Sequence, residues 1–228
     1  MSKPPKVHIL SEDRTGGGLQ KVIAAAVKAK RTKLGKPPLD FPGTPGHVAG
    51  NTKLLQQCTK YDRFLYHYKP QFNHVVFVMD ARNAWDVSSL KLSPPPVGGP
   101  LVEGYLDKLT LAIRDEMTRL ARGERTPEQW KDIQAGFHPH VLVWERESLI
   151  LAAANHIGLG DAIKDVYAIK RAYERVVELY QARHRRKYDK ATDGQPCLQQ
   201  VIDNPVALAQ VVESNPSLQA IVDDLAAI

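Results

Sequence analysis

The sequence predicts an α/β fold, a mainly parallel sheet flanked by helices and followed by a helical C-terminal extension. Three apolar runs rich in β-branched residues, 6–11 (KVHILS), 74–79 (HVVFVM) and 140–144 (HVLVW), alternate with stretches of helical periodicity. The run HVVFVM has no polar alternation, so it suits a strand covered on both faces, as in a parallel sheet between helix layers. Beyond Val201 only helical signals remain.

Length and composition allow such a fold. At 228 residues and 43% hydrophobic content, the chain can bury a core without disulfide or metal staples. No apolar run is long enough to span a membrane, and the opening MSKPPKVHIL lacks the apolar centre of a secretory signal. A cytoplasmic protein with no membrane partner is therefore expected. Cys58 and Cys197 have no Cys or His at ligand spacing, which argues against a disulfide framework and against structural zinc.

Taken in order, residues 6–11 form the first strand, Gly16, Gly17 and Gly18 a turn, and residues 19–30 a helix with Val22, Ile23, Ala26 and Val27 on one face. The glycines either cradle a phosphate at that helix start or simply let the chain turn; they lack the Lys-Ser/Thr of a P-loop. Residues 36–45 carry four prolines and read as an ordered loop, and residues 51–68 as a helix with Leu54, Leu55, Tyr61 and Leu65 inward. The second strand runs into Asp80, and a Pro-Gly loop at 93–100 precedes a helix over 101–122, striped by Val102, Tyr105, Leu106, Leu109, Ile113, Met117 and Leu120. Thr126-Pro127-Glu128-Gln129 has the form of a capping box, so a short helix starts there. His138 and His140 flank Pro139 and read as turn residues before the third strand, which leads directly into Glu145 and the helical ERESLILAAANH. Residues 161–183 predict a further amphipathic helix. Asn204-Pro205 and Asn215-Pro216 each place an Asn cap before a first-turn proline, a helical hairpin. The expected organisation is an α/β domain over 1–192 and a short helical appendage over 193–228.

Charge is unevenly spread. Lys plus Arg total 31 against 25 acids, a net charge of +6 that permits a polyanionic partner without requiring one. Between Arg14 and Met79 there are eleven basic residues against two acids, Asp40 and Asp62. A second basic group, Arg183, Arg185, Arg186, Lys187 and Lys190, closes the helical pattern, where cations also complement the helix dipole. From Val201 onward there are four acids and no Lys or Arg, so that segment suits another face or another job.

Each strand candidate ends in an acid: Glu12, Asp80 and Glu145. In a parallel sheet the carboxyl ends share one edge, where ligands bind. Three carboxylates meeting there would suit a hard cation, Mg²⁺ or Mn²⁺, and a phosphoryl-transfer or phosphodiester-cleaving site, with Lys and Arg holding the phosphate backbone. Glu12 could also act as general acid or base. The alternative is that the acids serve as helix caps and first-turn residues.

The run Ile9-Leu10-Ser11-Glu12 before a glycine turn, with Val75-Val76-Phe77-Val78-Met79-Asp80, resembles the Toprim domain of topoisomerases, primases and overcoming-lysogenization-defect nucleases. Residues 141–150 (VLVWERESLI) are similar to the Glu-x-Glu-small-Leu segment of a small, stand-alone Toprim-like branch often encoded in bacterial defence islands, and Tyr188-Asp189-Lys190 to its Tyr-x-Lys element. The resemblance covers about residues 6 to 190. It implies a Rossmann-like sheet and a Mg²⁺- or Mn²⁺-dependent nuclease or related enzyme acting on nucleic acid, in anti-phage defence. Glu12, Asp80, Glu145 and Glu147 would be the catalytic acids, and Glu12, Asp80, Asp86 and Glu147 the candidate metal ligands. Arg14, Lys21, Arg82 and Lys190 would contact nucleic acid.

One departure stands out. The family's second motif is Asp-x-Asp, whereas Asp80-Ala81-Arg82 puts a cation at the second acid, so that Asp86 or Glu147 must substitute or metal binding weakens. The alternative function is accordingly a non-catalytic, regulatory or interaction subunit of a defence complex, with a protein partner from the same operon and with homo-oligomerisation open. A doubly wound domain whose glycine turn binds a nucleotide is the third reading.

Overall fold

A computed structural model of the chain describes residues 3–12, 18–42, 46–47, 50–60, 72–82, 84–95, 103–163, 165 and 171–228. The chain divides into two compact units, the first made of Met1–Glu12 and Pro37–Val141, the second of Asp13–Lys36 and Leu142–Ile228. The fold is α/β with a parallel sheet and flanking helices, as the apolar runs predict.

In the first unit, β1 (Val7–Ser11), β2 (Gly46–His47), β3 (His74–Asp80) and β4 (Phe137–Leu142, its last residue entering the second unit) form a sheet in the order β2-β1-β3-β4. β1 pairs parallel with both neighbours, with Val7 opposite His74 and Ser11 opposite Val78. Val75 to Asp80 are all buried, in keeping with the unbroken apolar run. α2 (Asn51–Cys58) packs on β3 and on α3 (Tyr105–Arg122) through Leu54, Leu55 and Cys58. Leu109, Ile113, Met117 and Ala121, spaced at helical intervals, form the buried stripe of α3. α4 (Pro127–Gln134) begins at the expected capping box: the Thr126 hydroxyl accepts from the Gln129 N–H and the Gln129 side chain accepts from the Thr126 N–H.

Several boundaries differ from expectation. β4 starts at Phe137, so His138 and His140 are buried strand residues and not turn residues. The His138 imidazole pairs with that of His74, Nε2 to Nδ1 at 3.0 Å, and Pro139 is accommodated because β4 is an edge strand of the sheet. Glu145 does not follow the strand directly, because β4 ends at Leu142. Of the helix expected over 51–68, the part after residue 60, with Tyr61 and Leu65, lies outside the described residues, as do Arg14, Gly16, Gly17, Val102, Val166 and Ile169.

The second unit is helical: α1 (Gly18–Lys33), α5 (Glu147–Ala152), α6 (Ala172–His184), α7 (Gly194–Asp203), α8 (Pro205–Glu213) and α9 (Pro216–Ala227). Of the helix expected over 161–183, residues 161–163 and 165 are not helical, 164 and 166–170 lie outside the described residues, and the described helix is Ala172–His184. Leu19, Val22, Ile23, Ala26 and Val27 of α1 are buried where it packs against α7 and α9. The Asn204 and Asn215 side chains cap α8 and α9 as the Asn-Pro pairs predict, each cap contributing about 1 kcal/mol. The acidic tail has a specific partner. Lys30 pairs with Asp223, and Arg31 and Lys36 donate to the last carbonyls of α9, Lys36 Nζ lying 2.8 Å from both Ala226 O and Ala227 O. Part of the cationic first third is thus engaged in closing α9, where cations match the helix dipole. No helix among the described residues is long and apolar enough to cross a membrane.

Candidate functional site

The predicted site residues fall in both units. Glu12, Asp80, Arg82 and Asp86 belong to the first, Lys21, Glu145, Glu147 and Lys190 to the second, and Arg14 lies outside the described residues.

In the first unit, β1 and β3 deliver two acids to one sheet edge. Because Ser11 pairs with Val78, Glu12 and Asp80 both leave the carboxyl ends of adjacent parallel strands. Asp80 is only 8% exposed, whereas Glu12 and Arg82 are half-buried. Asp86 is exposed at the end of a 3-10 turn over Ala84–Asp86. Asn51, the first residue of α2, reaches back to this edge: its Nδ2 donates to the carbonyl oxygens of Asp80 and Arg82, each at 3.4 Å. Gly50 precedes the helix with φ 88°, a conformation glycine tolerates, and gives it no side-chain cap. Sequence inspection missed Asn51, since an Asn beginning a helix reads as a cap.

The second unit holds a buried ionic cluster around the Glu-x-Glu segment. Glu147 is fully buried and Glu145 is 4% exposed. Arg146, itself 1% exposed, donates from Nε to Glu147 Oε1 at 3.2 Å and from Nη2 to the Lys190 carbonyl oxygen at 2.6 Å. The Tyr188 hydroxyl donates to the same Glu147 oxygen at 3.3 Å. Lys190 Nζ lies 2.9 Å from Glu147 Oε2 and 3.4 Å from Glu145 Oε2, while Glu145 Oε1 accepts from the Tyr173 N–H at 3.1 Å. Two buried carboxylates thus face two cations, which is how buried charge is tolerated. Burial, and then the charge of Glu147, push the Tyr188 phenol upward, so it stays a donor.

Backbone and neighbours fix this cluster in place. A Cβ on Gly194, at the start of α7, would lie 2.8 Å from both Arg146 Nη2 and Tyr188 Oη, so glycine is what lets these groups approach. Asn215, fully buried, donates to Ser148 Oγ at 3.3 Å and to the Val143 carbonyl at 3.4 Å while capping α9. The C-terminal helices therefore anchor the segment that carries both acids. Beside it, Arg186 meets both Asp193 oxygens at 2.9 and 2.6 Å, and the Tyr180 hydroxyl donates to Asp193 at 3.0 Å. The Arg186 hydrogen bonds hold the Asp193 carboxyl down at about 2. Burial, then Asp193, push the Cys197 thiol up to about 11, which removes it as a thiolate nucleophile at neutral pH.

The Glu-x-Glu and Tyr-x-Lys elements named in the sequence are thus brought together, with Lys190 as the 41% exposed member. Arg146 and Gly194 were missed; only their burial shows their part. No protein family, curated protein or solved structure matches the chain.

Proposed function

We propose that the chain is a Mg²⁺- or Mn²⁺-dependent nuclease, or a related phosphoryl-transfer enzyme, acting on nucleic acid in a Toprim-like manner, with a place in anti-phage defence. One observation carries this reading: parallel strands β1 and β3 lead Glu12 and Asp80 to the same sheet edge. The carboxylates there offer oxygen ligands only, the donor set of a hard cation. Such a cation would neutralise charge on a phosphodiester and polarise its phosphorus. Glu12 would accept the proton of the attacking water as the ester P–O bond breaks, and the departing oxygen would take a proton from solvent. Arg82, with its backbone tied to Asn51, would hold a phosphate oxygen.

A second reading is favoured by the ionic cluster. With Arg146 and Lys190 facing Glu145 and Glu147, those acids are engaged without a metal, as in a non-catalytic regulatory or interaction subunit. Incubation with plasmid, linear DNA and RNA in Mg²⁺ or Mn²⁺ separates the two. The nuclease reading expects cleavage that Glu12→Gln or Asp80→Asn lowers by about 100-fold or more. Cleavage untouched by both substitutions, or no cleavage alongside stable partner capture, overturns it.

A further inference from the structure

Asn51 is an oddity at the edge of the sheet in the first unit. It is 8% exposed, and its Oδ1 is buried with no hydrogen-bond partner. The orientation of the amide is settled by its surroundings. Nδ2 lies 3.4 Å from two carbonyl oxygens, those of Asp80 and Arg82, and only a donor can face them. The acceptor end is therefore the orphan. A buried acceptor without a partner is costly, and in folded proteins such a group usually marks an ordered water, an ion or a ligand.

The chemistry around it narrows the occupant. An amide oxygen accepts and cannot donate, so it calls for a cation or a donor group. It is anchored to the very backbone that carries the Asp80 carboxylate, and Glu12 leaves the adjacent strand at the same edge. Two carboxylates and an amide oxygen make an all-oxygen set suited to a hard divalent cation and poorly suited to zinc or copper. The amide also adds a ligand without adding negative charge, which eases crowding of two acids.

We infer that Asn51 Oδ1 is a third protein ligand, with Glu12 and Asp80, of a divalent-cation site at the carboxyl ends of β1 and β3. The inference rests on the metal-dependent reading above and names the ligand that takes the place left by Arg82. Asn51 thus has two jobs: Nδ2 ties α2 to the strand end, and Oδ1 faces the ion.

Titration of the full chain with Mn²⁺, followed by electron paramagnetic resonance and calorimetry, tests this without any activity assay. The unaltered protein should bind Mn²⁺, and Asn51→Ala should weaken binding by about tenfold. Asn51→Asp keeps the oxygen, loses both donors and adds charge, so it should bind Mn²⁺ at least as tightly as the unaltered protein even if its melting temperature falls. A merely structural Asn51 predicts the reverse, with Asp as damaging to Mn²⁺ binding as Ala, and that result overturns the inference. Mn²⁺ binding unchanged in both variants, with a water only at Oδ1, overturns it while leaving the metal-dependent reading intact. Absence of Mn²⁺ binding in the unaltered protein sinks both.

Discussion

The two units place carboxylates in opposite circumstances. In the second, Glu145 and Glu147 are surrounded by Arg146, Lys190, Tyr188 and the Tyr173 N–H, so each charge is met inside the fold. At the sheet edge of the first, an extra oxygen acceptor, Asn51 Oδ1, accompanies Glu12 and Asp80. Acids of one type, all near strand ends in the sequence, thus divide between a closed ionic cluster and an oxygen-rich edge. A buried amide oxygen with no hydrogen bond points to a ligand, whereas carboxylates ion-paired to Arg146 and Lys190 point to architecture or to the positioning of Lys190.

The comparison breaks first at Arg146. Arg146→Ala removes one cation from a pair whose side chains are 2% and 0% exposed, leaving Glu147 buried and poorly compensated. A loss of about 3–5 kcal/mol is expected in urea unfolding at pH 7, as for other broken buried pairs. Arg146→Met with Glu147→Leu should restore most of it, since the apolar pair leaves no lone charge. A loss below about 1 kcal/mol for Arg146→Ala would mean that the cluster is hydrated and open, and the contrast between the units would fail.

Much of each unit was legible for local reasons. The Asn204-Pro205 and Asn215-Pro216 pairs name two helix starts in the second unit because capping needs only neighbouring residues, and the HVVFVM run reveals a buried strand in the first because its burial is written in five successive apolar side chains, Val75 to Met79. What escaped depends on distant partners. Nothing near Gly194 announces that Arg146 and Tyr188 will lie against it, and nothing in the acidic tail reveals that Lys30, Arg31 and Lys36 close α9. The basic first third therefore overstated the charge available for a polyanion. At the edge, Glu12 and Asp80 were legible as strand-end acids, but Asn51 was not, because its orphan oxygen exists only once α2 is folded against β3.

Gly194→Ala probes how tightly the cluster is closed. The new Cβ meets Arg146 Nη2 and Tyr188 Oη at 2.8 Å, and both side chains are held by hydrogen bonds, so neither swings aside freely. A loss of about 1–3 kcal/mol is expected, read from the urea midpoint. An unchanged midpoint would show that the Arg146 guanidinium is free to shift, which is the behaviour of an open site and not of a closed one.

Asp193 offers the finest test, since its carboxylate is buried while its partner Arg186 is 55% exposed. It stands between the two extremes. Its folded carboxyl titrates at about 2 against an ordinary 3.8, so the folded state favours the ionised form. The resulting stabilisation is present above pH 3.8 and is lost as the pH falls through about 2. Solvent around Arg186 reduces its size to about 1 kcal/mol. Asp193→Asn should therefore be less stable than the unaltered protein at pH 6 by that amount, with the gap closing near pH 2 as Asp193 protonates. If the gap persists there, the hydrogen bonds from Arg186 and Tyr180 act through geometry alone, and charge plays no part in holding the 185–193 turn beside the Glu147 cluster.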